Sequence, residues 1–146
     1  MHKTFYASGF LYCPSSQQIL LQQSENSSGQ WSLFGGESTD SSEPAIVLIK
    51  VIQKKVGLKL AQNAIRPIYD YFHKDLGKNH FIAYAEVDES SIKTTEKKGS
   101  TIAWFTFKQL YKLSLTGQTK QDITVGERVI KAVQRSLEEP VVRPTY

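Results

Sequence analysis

Two short groups of charged residues in the first half of the chain have side chains that can bind ions. An acidic group comes first and a lysine group follows it, and their members are Glu37, Asp40, Glu43, Lys50, Lys54 and Lys55. Carboxylate oxygens are the ligands that Mg²⁺ and Mn²⁺ prefer, whereas ammonium groups bind phosphate directly as point charges. The two groups therefore permit a metal site or an anion site. The plainer alternative is that all six are solvated surface side chains.

Histidine and cysteine offer weaker signals. His73 and His80 lie on either side of Gly77 and can serve as acid–base groups, but the sequence fixes no carboxylate partner for them. We therefore expect them at the surface or at strand ends. The single cysteine, Cys13, excludes an intramolecular disulfide and a cysteine-based zinc site. No local signature marks Cys13 as a nucleophile, so we expect a buried strand residue.

The lysine group is predicted to lie on a helix over residues 44–56. The β-branched residues of this segment also suit a buried strand, but its length argues for a helix. Pro44 suits the first helical position, where Ser42 or Glu43 can cap it, and Gly57 suits the position just past a helix C-terminus. Lys54 and Lys55 would then lie at the negative end of the helix dipole.

The elements around this helix predict a mixed sheet. Apolar and aromatic runs predict strands at 4–13, 18–23, 31–34, 65–74, 81–87 and 101–105, with hairpin turn chemistry at 76–79. A short helix is expected at 107–113, and a capping box at Thr124 to Glu127 predicts the start of a last helix. Strands, a central helix, more strands and a final helix indicate an α/β or α+β sandwich, a mixed sheet between helices.

Length and composition fit one soluble domain, which we place at residues 1–139 with a tail at 140–146. The chain has 146 residues, of which 40% are hydrophobic and 22% are charged, enough for one hydrophobic core. Its net charge of +4 favours anionic partners such as nucleotides, phosphates or nucleic acid, without selecting among them. Because residues 1–14 lack the apolar run of a signal peptide and no stretch suits a membrane span, we expect a cytoplasmic location.

The segment from Trp31 to Leu58 resembles the signature of the Nudix hydrolase family. This Nudix box is a glycine, five residues, a glutamate, seven residues, and then Arg-Glu-hydrophobic-x-Glu-Glu-x-Gly-hydrophobic. Gly36 at the first glycine puts Gly57 at the last without a gap, with Leu58 at the closing hydrophobic position. Residues 104–110 are also similar to a late family segment, in which a strand ends at a tryptophan before a short helix. The resemblance runs over nearly the whole chain and implies the Nudix fold.

The residues that carry the family's chemistry are replaced in this chain. The first box glutamate falls on Ser42 and the box arginine on Lys50. The three glutamates that bind divalent metal in the family fall on Val51, Lys54 and Lys55. These positions share one face of a helix, so a valine and two ammonium groups stand where the carboxylates should be. We therefore expect no family-type metal site on this helix.

Three functional hypotheses follow from the resemblance. In the first, the protein binds a nucleotide, a nucleoside-diphosphate-like compound or another phosphorylated small molecule through Gly35, Gly36 and the three lysines. Metal-dependent hydrolysis is then lost or weak, and no cofactor is expected. In the second, the protein is an active hydrolase that uses Mg²⁺ or Mn²⁺ with relocated carboxylates, Glu37 and Glu96 being the candidates.

The third hypothesis is a module that binds RNA or a protein partner, as in the degenerate Nudix subunit of the pre-mRNA cleavage factor. No arginine-rich or aromatic-interleaved stretch favours this role. A homodimer is expected by analogy with the family alone.

Overall fold

The computed structural model of the chain describes residues 4–24, 29–38, 43–74, 77–88, 90, 92 and 100–138. Within these ranges, seven strands and three α-helices follow one another in nearly the order that the sequence predicts. In chain order they are β1 (Phe5–Cys13), β2 (Gln18–Ser24), β3 (Trp31–Ser32), β4 (Phe34–Glu37), α1 (Pro44–Val56), β5 (Ile65–His73), β6 (Lys78–Glu86), β7 (Ser100–Thr106), α2 (Phe107–Leu110) and α3 (Gly117–Glu138).

The described strands form one mixed sheet with β1 at its centre. Its main path runs in the order β3, β2, β1, β6, β5, while β4 also pairs with β1 and β7 also pairs with β2. β1 pairs with β6 in parallel, from Phe5 opposite Asn79 to Tyr12 opposite Glu86. The pairings of β1 with β2 and with β4 are antiparallel. The predicted mixed sheet between helices is confirmed.

Alternation of side chains along β1 divides the core into two layers. Phe10 and Tyr12 belong to the layer that packs against α2 and α3. Leu11 points the other way and packs in a layer with Leu48 and Ile52 of α1. We call these two sides of the sheet the α3 face and the α1 face.

Helix α1 has the bounds that its flanking residues predict. Pro44 occupies the first turn, and Gly57 ends the helix in the left-handed conformation, with φ of 82°. Lys54 and Lys55 lie in the last turn. Glu43 stands at the N-cap position, but its side chain makes no capping hydrogen bond, so this part of the prediction was wrong for Glu43. Ser42 lies outside the described residues.

The predicted start of the last helix was wrong. Helix α3 begins at Gly117, and Thr124 lies inside it with its hydroxyl donating to the Lys120 carbonyl at 2.7 Å. The Thr116 hydroxyl accepts the first-turn hydrogen bond instead, from the Thr119 backbone N–H at 3.1 Å. A true capping box stands at α2, where Thr106 and Gln109 cap each other.

Three smaller boundaries also differ from the predictions. The apolar segment 31–34 divides at Leu33 into β3 and β4, because β3 pairs with β2 while β4 pairs with β1. Lys78 and Asn79 belong to β6 rather than to a turn. Helix α2 ends at Leu110, earlier than predicted. The proposed tail at 140–146 lies outside the described residues, and none of the described helices is long and apolar enough to cross a membrane.

Candidate functional site

Strand β4 and helix α1 meet at Gly36 and Val51, two positions within the segment that resembles the Nudix box. Gly36 pairs with Ala7 of β1 and faces α1. A Cβ atom added at Gly36 would lie 2.7 Å from Cγ2 of Val51, so only glycine fits without movement of that side chain. The isopropyl group of Val51 therefore fills the space beside the glycine backbone, at a position where the box resemblance predicts a carboxylate.

The lysines of α1 flank this contact on the outside of the helix. Lys50 and Lys54 are exposed and Lys55 is half-buried. In the described part of the chain, no carboxylate forms a salt bridge with any of the three. Their ammonium groups are thus available to an anion from solvent. The two in the last turn also stabilise the negative end of the helix dipole, which is the plainer account of their presence.

The structure does not bring Glu37 to the lysines. Glu37 pairs with Tyr6 of β1 and therefore lies on the α3 face, together with Gly35. The Lys78 ammonium at the start of β6 donates to the Glu37 carboxylate, and this ion pair joins β4 to β6. A Cβ at Gly35 would lie 2.7 Å from the Tyr6 hydroxyl. Strand alternation thus separates Glu37 and Gly35 from Gly36 and α1.

The remaining acidic candidates give no metal site among the described residues. Glu43 accepts a hydrogen bond from the Gln62 side-chain amide at 2.8 Å. Asp40 and Glu96 lie outside the described residues. Within the ranges that the structure describes, no three histidine, cysteine, aspartate or glutamate side chains are grouped so as to hold a metal ion. Valine and lysine side chains supply no oxygen ligand, so Val51, Lys54 and Lys55 do not fit a divalent cation.

The α3 face holds a buried polar network that the sequence did not predict. His80 of β6 lies with Nε2 2.7 Å from the Ser8 hydroxyl and with Nδ1 2.7 Å from the Tyr71 hydroxyl. Both ring nitrogens therefore have partners in the neutral imidazole, one as donor and one as acceptor. Ser8 and His80 are buried, and Tyr6 packs edge-on against the imidazole ring at 4.9 Å between centroids.

Burial makes this histidine a poor base. Desolvation lowers the pKa of His80 from 6.5 to about 4, and the nearby charge of His73 adds to this effect. His73 lies on β5 with its ring centroid 6.4 Å from that of His80. At neutral pH the network therefore contains a neutral imidazole between two hydroxyl groups. Such an arrangement positions side chains and satisfies buried hydrogen-bonding groups.

A second hydrogen-bonded group lies beside the first, where α3 crosses β5. Tyr69 donates to an Asp122 carboxylate oxygen at 2.6 Å, and the Gln118 side-chain amide donates to the same oxygen at 2.9 Å. Burial raises the pKa of Asp122, although both hydrogen bonds and the charge of His73 oppose the rise. Burial also holds the pKa of the Tyr69 hydroxyl well above its usual range.

The sequence carried a weak signal for this network. Ser8 lies within an apolar and aromatic strand, and His80 alternates with Ile82 and Tyr84 onto the same face of β6. A polar residue at such a position requires a hydrogen-bonding partner. The partner itself depends on the parallel register of β1 with β6, in which Ser8 stands opposite Ile82 and next to His80. That register is a long-range feature that strand patterns do not supply.

Comparisons with known proteins rest on structure alone. No family model and no curated protein sequence matches this chain. The NUDIX domain of Shewanella oneidensis NrtR, solved in complex with ADP ribose, is 15% identical with a TM-score of 0.68, over 89% of this chain and 90% of that one. A MutT structure from work on Aliivibrio salmonicida and Vibrio cholerae is 11% identical with a TM-score of 0.63, over 85% of this chain and 98% of that one.

A MutT/nudix family protein from Enterococcus faecalis is similar over a smaller share of its length. It is 16% identical with a TM-score of 0.57 over 72% of this chain, and this chain spans only 44% of that protein's chain. At these identities the likeness establishes the architecture and not the chemistry. The chain has the Nudix fold.

Proposed function

We propose that this protein binds a nucleotide or a related phosphorylated small molecule on the outer side of α1, with metal-dependent hydrolysis lost or weak. The observation that carries the proposal is the contact of Val51 with Gly36, flanked by the lysines of α1. The glycine-to-helix frame of the box is kept, while an apolar group and ammonium groups replace its carboxylates. A cytoplasmic location is part of this proposal and rests on the sequence.

Charge supports anion binding rather than metal binding on this helix. Two unit charges about 4 Å apart interact by about 4 kcal/mol at an effective dielectric of 20. A divalent cation beside Lys54 and Lys55 would meet repulsion where the family provides attraction. A phosphate group at the same place would meet attraction from both, and an ammonium group binds phosphate without an ion between them.

The choice of the first ligand follows from the fold comparison. The NUDIX domain of NrtR was solved with ADP ribose and has the same architecture over nearly its whole length. ADP ribose contains a diphosphate, which is the group that the lysines of α1 would hold. We include neither a homodimer nor RNA in this proposal, since the contacts described above bear on neither.

Binding of ADP ribose and of nucleoside triphosphates, measured by calorimetry with and without chelator, tests the proposal. We expect saturable binding that chelator leaves unchanged. The double variant Lys54→Glu with Lys55→Glu should weaken binding by about tenfold, as expected when one exposed and one half-buried charge contact are reversed. The matched control is Lys108→Glu with Lys112→Glu, which makes the same change in net charge at exposed positions in and after α2. Equal losses in both double variants would mean that net charge, rather than this site, attracts the ligand.

An activity assay separates this proposal from the hydrolase alternative. Phosphate release is measured on the same compounds with Mg²⁺ and Mn²⁺, in the wild-type protein and in Glu37→Gln and Glu96→Gln. We expect no release above the blank. Turnover that chelator stops and that one of these variants abolishes would overturn the loss of hydrolysis and place the relocated carboxylate.

A further inference from the structure

A cavity of about 340 Å³ lies on the α1 face, between the start of α1 and the strands β1, β6 and β5. This volume is near the lower end of the range for small-molecule sites, about 300–1,000 Å³. The cavity lies against the first turns of α1 and toward β6, whereas Val51 lies two turns later and contacts β4, and β6 and β4 pair with opposite edges of β1. It is therefore a separate place from the site proposed above.

Small side chains leave this volume open. Ala7 of β1, Ala83 of β6 and Ala45 of α1 all line the cavity, and each contributes only a methyl group. Farther along the same face, Leu11 and Ile52 are fully buried in close packing. The contrast indicates that the cavity results from the small side chains at these three lining positions, and not from poor packing of α1 in general.

The charged groups at this cavity are acidic, although the chain as a whole is basic. Glu43 and Asp70 both line it, and both are exposed, so they mark the side that opens to solvent. The lining includes no lysine or arginine. A phosphate group would be repelled here, whereas a cation would be attracted. The interior supplies methyl groups, Leu48 and the ring of Phe81, which favour an apolar body.

The adjacent sheet edge argues against a peptide strand as the occupant. β5 is an edge strand, and its pairing with β6 is irregular between Pro67 and Tyr69. Proline has no backbone N–H to donate to an added strand, and an irregular edge bends away from regular pairing. A compact small molecule fits these features better than an extended backbone.

We infer that this cavity binds a small organic amine with an aromatic or aliphatic body, whose ammonium group faces Glu43 and Asp70. The inference does not depend on the nucleotide proposal. The two sites differ in the sign of their charges: lysines flank the first, and two carboxylates lie at the opening of the second.

Three probes of similar shape test the inference: phenethylamine, 2-phenylethanol and 3-phenylpropionate. Their binding to the full chain is followed by backbone amide shifts in NMR spectra at neutral pH. We expect the amine to bind about tenfold more tightly than the alcohol and the carboxylate to bind least, with shifts at Ala7, Ala45 and Ala83. A factor of ten is what two exposed charge contacts supply. Equal binding of all three, tightest binding of the carboxylate, or no binding of the amine would overturn the inference.

Variants separate the charge from the cavity. Glu43→Gln with Asp70→Asn should remove the preference for the amine over the alcohol and keep the weak binding of both. Glu86→Gln with Asp88→Asn is the matched control, because both are exposed acids at or just after the far end of β6, and it should leave the preference unchanged. A preference that survives in the double variant would contradict the role of the two acids.

Filling the cavity provides the second test. Ala83→Leu and Ala45→Leu approach it from the sheet and from the helix, so one can replace the other if either fails to fold. Each should abolish binding of the amine and of the alcohol without lowering the thermal unfolding temperature. Unchanged binding in a folded variant would show that the amine binds elsewhere and would overturn the inference.

Discussion

On the α1 face, the positions that the box resemblance aligns with metal-binding carboxylates hold Val51, Lys54 and Lys55, and no described carboxylate pairs with these lysines. On the α3 face, Ser8, His80 and Asp122 are buried, and each is hydrogen-bonded to a described side chain. The first region keeps its charges available to solvent, and the second keeps its polar groups among themselves. These buried polar groups therefore lie on the side of the sheet away from the Gly36–Val51 contact.

The difference also separates two kinds of contribution to the protein. Buried hydrogen-bonded groups stabilise a single arrangement of strands, because leaving a partner unsatisfied costs about 1–3 kcal/mol. Exposed lysines contribute little to stability and remain free to bind a ligand. We expect substitutions on the α3 face to change stability first, and substitutions on the outer side of α1 to change binding first.

The largest expected effect is a loss of stability on acidification through His80. The folded pKa of about 4 lies below the ordinary 6.5, so the unfolded chain takes up a proton first as the pH falls. The stabilisation that comes from a neutral His80 is therefore complete above pH 6.5. The free energy of unfolding should fall by about 3 kcal/mol between pH 6.5 and pH 4. Urea unfolding of the wild type and of His80→Gln across this range measures the effect.

The wild type and His80→Gln are compared because Asp122 changes the stability with pH in the opposite direction from His80. Its folded pKa is raised, so the stability that it contributes falls as the pH rises through 3.8 toward the folded value. That contribution is present in both proteins and cancels in their difference. His80→Gln should be less stable at neutral pH but have a flatter pH dependence. Parallel curves for the two proteins would mean that His80 is not the group that titrates.

A smaller loss of stability is expected from substitution of Gly36, which packs against the side chain of Val51. Gly36→Ala should destabilise the protein by about 1–2 kcal/mol, because the added methyl group would lie 2.7 Å from Cγ2 of Val51. Val51→Ala removes that atom, so Gly36→Ala should cost much less in its presence. Thermal unfolding of the two single variants and the double variant gives the coupling. Strictly additive losses would show that the two residues do not share this space.

The smallest effect is expected at Glu37. Glu37→Gln breaks the ion pair with Lys78, in which the carboxylate side chain is 50% exposed, so the free energy of unfolding should change by less than about 1 kcal/mol. Binding of ADP ribose should not change, because Glu37 faces away from α1. The same calorimetry and urea unfolding measure both. A large loss of binding would mean that Glu37 contributes to the ligand site, so that the two faces would not have separate roles.

Local signals allowed α1 to be predicted to the residue. Pro44 and Gly57 bracket it, and both act through their own backbone geometry. The local sequence pattern misplaced the start of α3, because Thr124 and Glu127 match the sequence pattern of a capping box although the helix begins at Gly117. The true first turn is fixed at Thr116, and the segment before Thr124 is helical with Asp122 and Ile123 buried against the sheet. Tertiary packing decided a boundary that the local pattern left ambiguous.

The candidate residues were predictable where they share one helix and unpredictable where they come from different strands. Lys50, Lys54 and Lys55 lie together because helical spacing requires it. Glu37 is separated from them because it lies one position beyond Gly36 on a strand, and alternation turns it to the other face. The environment of His80 depends on β1 and β5 together, and no pattern within β6 contains that information.

The parallel pairing of β1 with β6 has a consequence for how the chain folds. β1 can form a hairpin with β2 early, since only a short turn separates them. Its other edge must wait for β6, which follows after α1 and β5 in the chain. Contacts between such distant segments close slowly and leave an apolar strand edge exposed in the meantime. During synthesis, this edge of β1 is a place for chaperone binding or aggregation until residue 86 has left the ribosome.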